Sequence, residues 1–191
     1  MGQQPAIRAD ARRNRARLIE VAVEAFAVRG LTVPLDEIAR QAGVGPGTLY
    51  RHFPTREALF EAVVQERLQR LVDAARARLD AEPAGAALFA FVELLVVEAA
   101  PKRDLVDALT GAGVDVRARL ATTAAELRAQ LDLLLARAQR AHDVRAEVTV
   151  ADLMALLSGI LRSQHADPPD AADPARALAI VRDGMRPVAR H

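Results

Sequence analysis

The chain has 191 residues, about half of them hydrophobic, a net charge of +1, five phenylalanines, one tyrosine, no tryptophan and no cysteine. The lack of cysteine excludes disulfides, thiolate metal sites and a cysteine nucleophile. No basic-then-apolar signal pattern opens the chain and no apolar run approaches the ~20 residues of a membrane helix, so a cytoplasmic location without a membrane partner is expected.

Charge is unevenly spread. Residues 1–60 carry nine arginines against six acids, and the remainder seventeen basic against nineteen acidic residues. Arg8, Arg12, Arg13, Arg15 and Arg17, against Asp10 alone, concentrate the basic excess near the start. That is the footprint of polyanion binding, although a basic segment by itself reads equally well as a solvated tail.

Residues 1–9 hold Gly2, Pro5 and little to bury, and no regular structure is expected there. A first helix is predicted over 10–30, with Asp10 as N-cap, Leu18, Ala22, Ala25 and Phe26 on one face, and Gly30 as its stop. A second is predicted over 34–42, where Leu35, Ile38, Ala39 and Ala42 fall at i, i+3, i+4 and i+7. Gly43 follows at the position of a left-handed helix end. Pro46 then opens a third helix over 46–53, where its missing N–H is not needed. Leu49 and Phe53 point inward, leaving Gly47, Thr48, Tyr50, Arg51 and His52 on the other faces. Small residues at Ala39 and Gly43 permit the close crossing of a helix-turn-helix. The third helix offers hydroxyl, phenol, guanidinium and imidazole groups, which suit phosphates and base edges. The pattern alone also describes an ordinary helical hairpin.

The run GVGPGTLYRHFPTREAL closely resembles the helix-turn-helix of the tetracycline-repressor (TetR) family of transcriptional regulators. The resemblance extends from about Arg12 to Val64 and takes in Phe26, Gly30 and the Ile38-Ala39 pair. It implies an all-α protein of about nine helices, with a three-helix DNA-binding domain over 1–62 and an effector-binding and dimerisation bundle over 63–191. It implies double-stranded DNA, a second copy of the chain and a small effector as partners, with no cofactor. Carried onto matching positions, Gly47, Thr48, Tyr50, His52 and Arg56 become groups that hold the DNA backbone, and Pro46 and Arg51 lie against bases. Arg12, Arg13 and Arg15 are further candidates for backbone contact. Two recognition helices would enter successive major grooves ~34–36 Å apart. Pro34 departs from the family, which often places a Ser or Thr there, so no contact is expected from it.

Beyond this motif only helical patterning remains. Thr55 caps a fourth helix over 55–80, roughly 37 Å long and a mechanical link between the domains. Residues 86–100 are apolar nearly all round, with Glu93 as the exception. Phe89 and Glu93 are candidate pocket residues for an apolar or amphipathic effector, against the plainer readings of core phenylalanine and surface glutamate. Pro101 is expected to start a separate short helix ended by Gly111 and Gly113. A seam of Val116, Leu120, Ala124, Leu127, Leu131, Leu134 and Ala138 follows, and then a break at His142-Asp143. Thr149 and Asp152 form a capping box for the next helix, to about residue 162. A polar loop is expected over 164–172, and Asp173-Pro174 opens the last helix, ended by Pro187. The stripe of Ala151, Ala155 and Gly159, with Leu178, Val181 and Met185, is the expected dimer seam.

The sequence argues against an enzyme. It has two serines, Ser158 and Ser163, and histidines 52, 142, 165 and 191 lack metal-ligand spacing. Gly43, Gly45 and Gly47 lie between helices rather than after a strand. A sequence-indifferent DNA-coating protein fits poorly with a net charge of only +1, and a regulator without an effector remains the alternative.

Overall fold

The computed structural model describes residues 3–81, 83–111, 115–163 and 173–187. Among them the architecture is all-α: α1 (Gln3–Arg29), α2 (Leu35–Gln41), α3 (Pro46–His52), α4 (Arg56–Ala81), α5 (Ala84–Gly111), α6 (Val116–Arg140), α7 (Val150–Ser163) and α8 (Pro174–Met185). The polar loop expected over 164–172 lies outside the described residues, as do Gly2, Gly113, His165 and His191.

Two compact units divide the chain. The first comprises Met1–Arg67 and Pro101–Leu120, the second Leu68–Ala100 and Ala121–His191. The boundary of these units falls within α4 between Arg67 and Leu68, and the first unit takes in a second stretch of chain. The cause lies in side chains beyond residue 62 that are committed to the first unit. Val63 and Val64 are buried, and the buried Arg67 donates from Nη2 to the Val23 carbonyl of α1 at 3.4 Å. Arg119, at the start of α6, pairs with Glu61 at 2.8 Å.

In the first unit α1 turns Leu18, Ala22, Ala25 and Phe26 inward, as their spacing predicts. Phe26 meets Phe60 of α4 edge-to-face, with ring centroids 5.1 Å apart. Two expectations fail at the start of α1. The helix begins at Gln3 rather than near Asp10, and Asp10 is an interior residue paired with Arg13 one turn on. Pro5 sits in the first turn, where a proline removes no helical bond, and Ala-Ile-Arg-Ala then continues the helix readily.

The second unit is built on a core that includes Leu71, Leu88, Phe91, Leu131, Leu134, Leu153 and Met185. Pro101 does not open a new helix: α5 runs unbroken from Ala84 to Gly111. Proline can donate no bond to the carbonyl four residues back, that of Val97, but one missing bond does not end a helix secured on both sides. The other expected caps are present. Thr55 Oγ1 accepts the Ala58 N–H at 3.2 Å, and Asp173 Oδ1 accepts that of Ala175 at 3.0 Å. Thr149 and Asp152 cap reciprocally, at 3.2 and 3.0 Å. The break after α6 turns on His142, whose φ is +61°. The neighbouring Asp143 accepts the Gly85 N–H at 2.8 Å, joining that break to the first turn of α5.

Candidate nucleic-acid interface

The helix-turn-helix is assembled by its own backbone. Gly43 adopts φ +71°, its N–H bonds the Arg40 carbonyl at 3.1 Å, and the Val44 N–H bonds the Ala39 carbonyl at 3.0 Å. This pair of bonds is a Schellman ending, and it turns the chain sharply out of α2. Pro34 stands at the N-cap of α2 without a side-chain bond, consistent with the lack of a hydroxyl there. Pro46 occupies the first turn of α3, with Gly45 as N-cap. Ile38, Ala39, Leu49 and Phe53 are buried, so α2 and α3 share one small core with α1.

That packing orients α3. Pro46, Gly47, Tyr50 and Arg51 are exposed, while Thr48 and His52 are half-buried. Tyr50 is 46% exposed, unusually open for an aromatic side chain in so small a unit. Tyr50 and Arg51 have no hydrogen-bond partner among the described residues, so their donors face outward. Gly47 has neither a positive φ nor a neighbour within 4 Å of an added Cβ. Nothing among the described residues requires glycine there.

Arg12, Arg13, Arg15 and Arg17 of α1 are exposed and unequal. Arg13 pairs with Asp10, and Arg15 carries its guanidinium 5.3 Å from the centroid of the Phe53 ring. Arg12 has no partner among the described residues. On α2, Glu37 accepts from Arg40 Nη2 at 2.6 Å and Gln41 Nε2 at 2.6 Å, with Arg29 of α1 3.6 Å away. The Arg40 bond, followed by that from Gln41, lowers the Glu37 carboxyl from 4.5 to about 2. Sequence reading missed this cluster, although the i, i+3 and i+4 spacing of Glu37, Arg40 and Gln41 signals it.

Arg56, expected to hold the DNA backbone, is engaged within its own chain. Its terminal nitrogens donate to the carbonyls of Leu31 and Val33, the latter at 2.9 Å. The motif placed Arg56 beside the recognition helix, but the open carbonyls of the α1–α2 connection engage it first.

In the second unit, an open cleft of about 790 Å³ lies between the first turns of α5, the α6–α7 connection and the end of α8. Phe89 and Glu93 both line it, together with His142, Arg182 and Arg186, which the sequence did not single out. Their convergence is long-range and leaves no local signal. Glu93 is exposed rather than internal. The other phenylalanine of the segment, Phe91, is plain core. On α7, Leu153, Leu157 and Ile160 are buried, whereas Ala151, Met154, Ala155, Leu156 and Gly159 are exposed. On α8, Leu178 and Val181 pack partly against the chain's own core. Met185, 3% exposed, is wholly within that core and unavailable to a dimer seam. Ile180, 65% exposed, is the large apolar residue that α8 turns outward.

No helix among the described residues is long and apolar enough to cross a membrane, and no cluster of three or more His, Asp or Glu there is arranged to hold a metal ion. The geometry is that of a helix-turn-helix DNA-binding unit joined to a helical bundle. Comparison with known proteins agrees. Residues 18–63 match the family model of bacterial regulatory proteins of the tetR family, and residues 82–187 match that of the SbtR-like transcriptional regulator C-terminal domain. A TetR transcription regulatory protein from Mycobacterium vanbaalenii is 48% identical, over 95% of this chain and 99% of that one, with a TM-score of 0.77. The TetR transcriptional regulator SCO0520 from Streptomyces coelicolor is 34% identical, over 92% of this chain and 99% of that one, with a TM-score of 0.75. An HTH-type transcriptional regulator of Staphylococcus aureus (strain USA300) is 40% identical over 63 residues, which are 32% of this chain and 34% of the relative. The chain thus spans about a third of the length of that curated relative.

The chain belongs to the TetR family. It is a helix-turn-helix transcriptional regulator.

Proposed function

We propose that this regulator is a repressor that binds a near-palindromic operator as a homodimer and is released by a small apolar or amphipathic effector. The observation that carries the reading is α3 itself: Leu49 is buried while Tyr50 and Arg51 stand free and outward on a basic unit. Phosphate contacts from Tyr50, Thr48 and His52, with Arg51 at a base edge, follow from that orientation. The dimer is supported by the outward face of α7, where Met154 and Leu156 are 39% and 48% exposed beside Ala155 and Gly159. An effector site is supported by the cleft at Phe89 and Glu93, whose volume lies in the range of small-molecule sites. An effector that binds the DNA-free arrangement more tightly lowers operator affinity by that same preference.

The decisive experiment is selection of bound duplexes from a random-sequence library. The expected product is a two-fold site with half-sites 10–10.5 base pairs apart, or a multiple of that spacing. Failure to enrich any site would overturn the reading. For the effector, a small-molecule collection is screened by thermal shift, with release of the selected duplex as the second readout. Glu93→Ala is expected to weaken an active compound more than it changes the melting temperature of the free protein.

A further inference from the structure

Arg56 is the first residue of α4 and follows the exit from the recognition helix, Phe53-Pro54-Thr55. The carbonyls it engages, Leu31 and Val33, lie in the connection that leads into α2. One side chain therefore joins the chain just before α2 to the chain just after α3. The guanidinium is held from a second side: its central carbon lies 5.7 Å from the centroid of Phe60. Phe60 in turn packs on Phe26 of α1. Val33, whose carbonyl is one of the two acceptors, is 4% exposed and fixed in the core of the unit.

We infer that Arg56 is a positioning residue for operator binding: it closes the helix-turn-helix at its base and acts on DNA through the orientation of α3, not by touching a phosphate. The physical case rests on the guanidinium fork. Carbonyls of a short connection lack helical partners, and two of them are met here by one rigid, planar, charged donor. Lysine keeps the charge but is a point donor on a flexible stem, and it cannot reproduce the paired bonds and the ring contact together. Two of the five guanidinium N–H groups are committed to these carbonyls. The inference rests on DNA binding by α3.

The test compares wild type, Arg56→Lys and Arg56→Met. Affinity for the duplex recovered by selection is measured across a salt series. Hydrogen exchange is measured on the DNA-free proteins. Both variants are expected to bind about tenfold more weakly, the scale of one charged hydrogen bond. The slope of log affinity against log salt is expected to match wild type in both, since Arg56 neutralises no phosphate. Amides of residues 31–42 are expected to exchange faster in both, with those of α7 unchanged. The proposal is overturned by wild-type affinity in Arg56→Lys, or by a salt slope shallower by about 0.9 in Arg56→Met, the signature of one phosphate no longer neutralised. It is equally overturned by unchanged exchange at 31–42. Arg56→Lys decides the matter even if Arg56→Met does not fold, because a phosphate contact survives that change and a clasp does not. If selection recovers no duplex, the DNA reading fails while the exchange measurement still decides the clasp.

Discussion

Single residues on α3 separate contacts made within the protein from those kept for DNA. Leu49 and Phe53 are fully enclosed, so their loss would unfold the unit and reveal nothing about recognition. Tyr50 is free of such duties. Tyr50→Phe is expected to leave the fold intact and weaken binding to all duplexes by a similar factor, about 0.5–3 kcal/mol, read by fluorescence titration. Unchanged affinity would remove Tyr50 from the interface. Gly47 gives a sharper case. An added methyl meets nothing in the chain, and alanine favours a helix over glycine by about 0.5–1 kcal/mol. Gly47→Ala is therefore expected to hold or raise thermal stability while lowering operator affinity. A variant that gains stability and keeps full affinity would show that no DNA backbone comes close at this position.

At the scale of elements, Glu37 ties together Arg40 and Gln41 of its own helix, α2, and reaches Arg29 of α1 at 3.6 Å. Because the folded carboxyl titrates near 2 rather than at its ordinary 4.5, this tie is complete above about 4.5 and is lost as pH falls through about 2. Glu37→Gln is expected to remove the tie's stability at pH 7 and so to flatten that part of the acid-unfolding profile, with the helical circular-dichroism signal at pH 7 retained. An unaltered profile would assign the acid sensitivity elsewhere. The elements also show what could be read from the sequence. The ends at Gly30 and Gly43, the caps at Thr55, Thr149 and Asp173, and the apolar faces of α1 to α3 were legible because each depends on residues within one or two turns. The start of α1, the unbroken α5 and the carbonyl bonds of Arg56 were not. Each is settled by partners twenty or more residues away, or by neighbours that outweigh one proline. The cleft was legible only through Phe89 and Glu93, on one of its walls, since α8 and the α6–α7 connection arrive from distant sequence.

For the whole molecule, the proposed dimer places its demand on the exposed stripe of α7. Gly159 is exposed, and no described residue lies within 4 Å of an added Cβ, so a side chain there can leave the helix without a clash at its base. Gly159→Arg is expected to retain the helical circular-dichroism signal, give a monomeric mass by light scattering, and lose operator binding at ordinary concentrations. A dimeric variant with wild-type affinity would turn the stripe away from the seam. The cleft proposed for an effector lies elsewhere in the same unit, and α4 contributes residues 56–67 to one unit and 68–81 to the other. A change felt along α4 would thus be available to both, as the proposed release of DNA by an effector requires.

The division of the chain bears on how such regulators can be recombined. The first unit is not a contiguous cassette: Met1–Arg67 is completed by Pro101–Leu120, where Leu109 is fully buried and Arg119 reaches Glu61. A chimera that transplants only the N-terminal segment onto another sensor leaves this second strip behind, and it exchanges a native partner of α4 for whatever the host carries at the corresponding place. Operator specificity would travel with α3, but the stability of the transplanted reader would depend on the recipient. Grafts that carry residues 101–120 along with 1–67 are the ones that keep the reader whole.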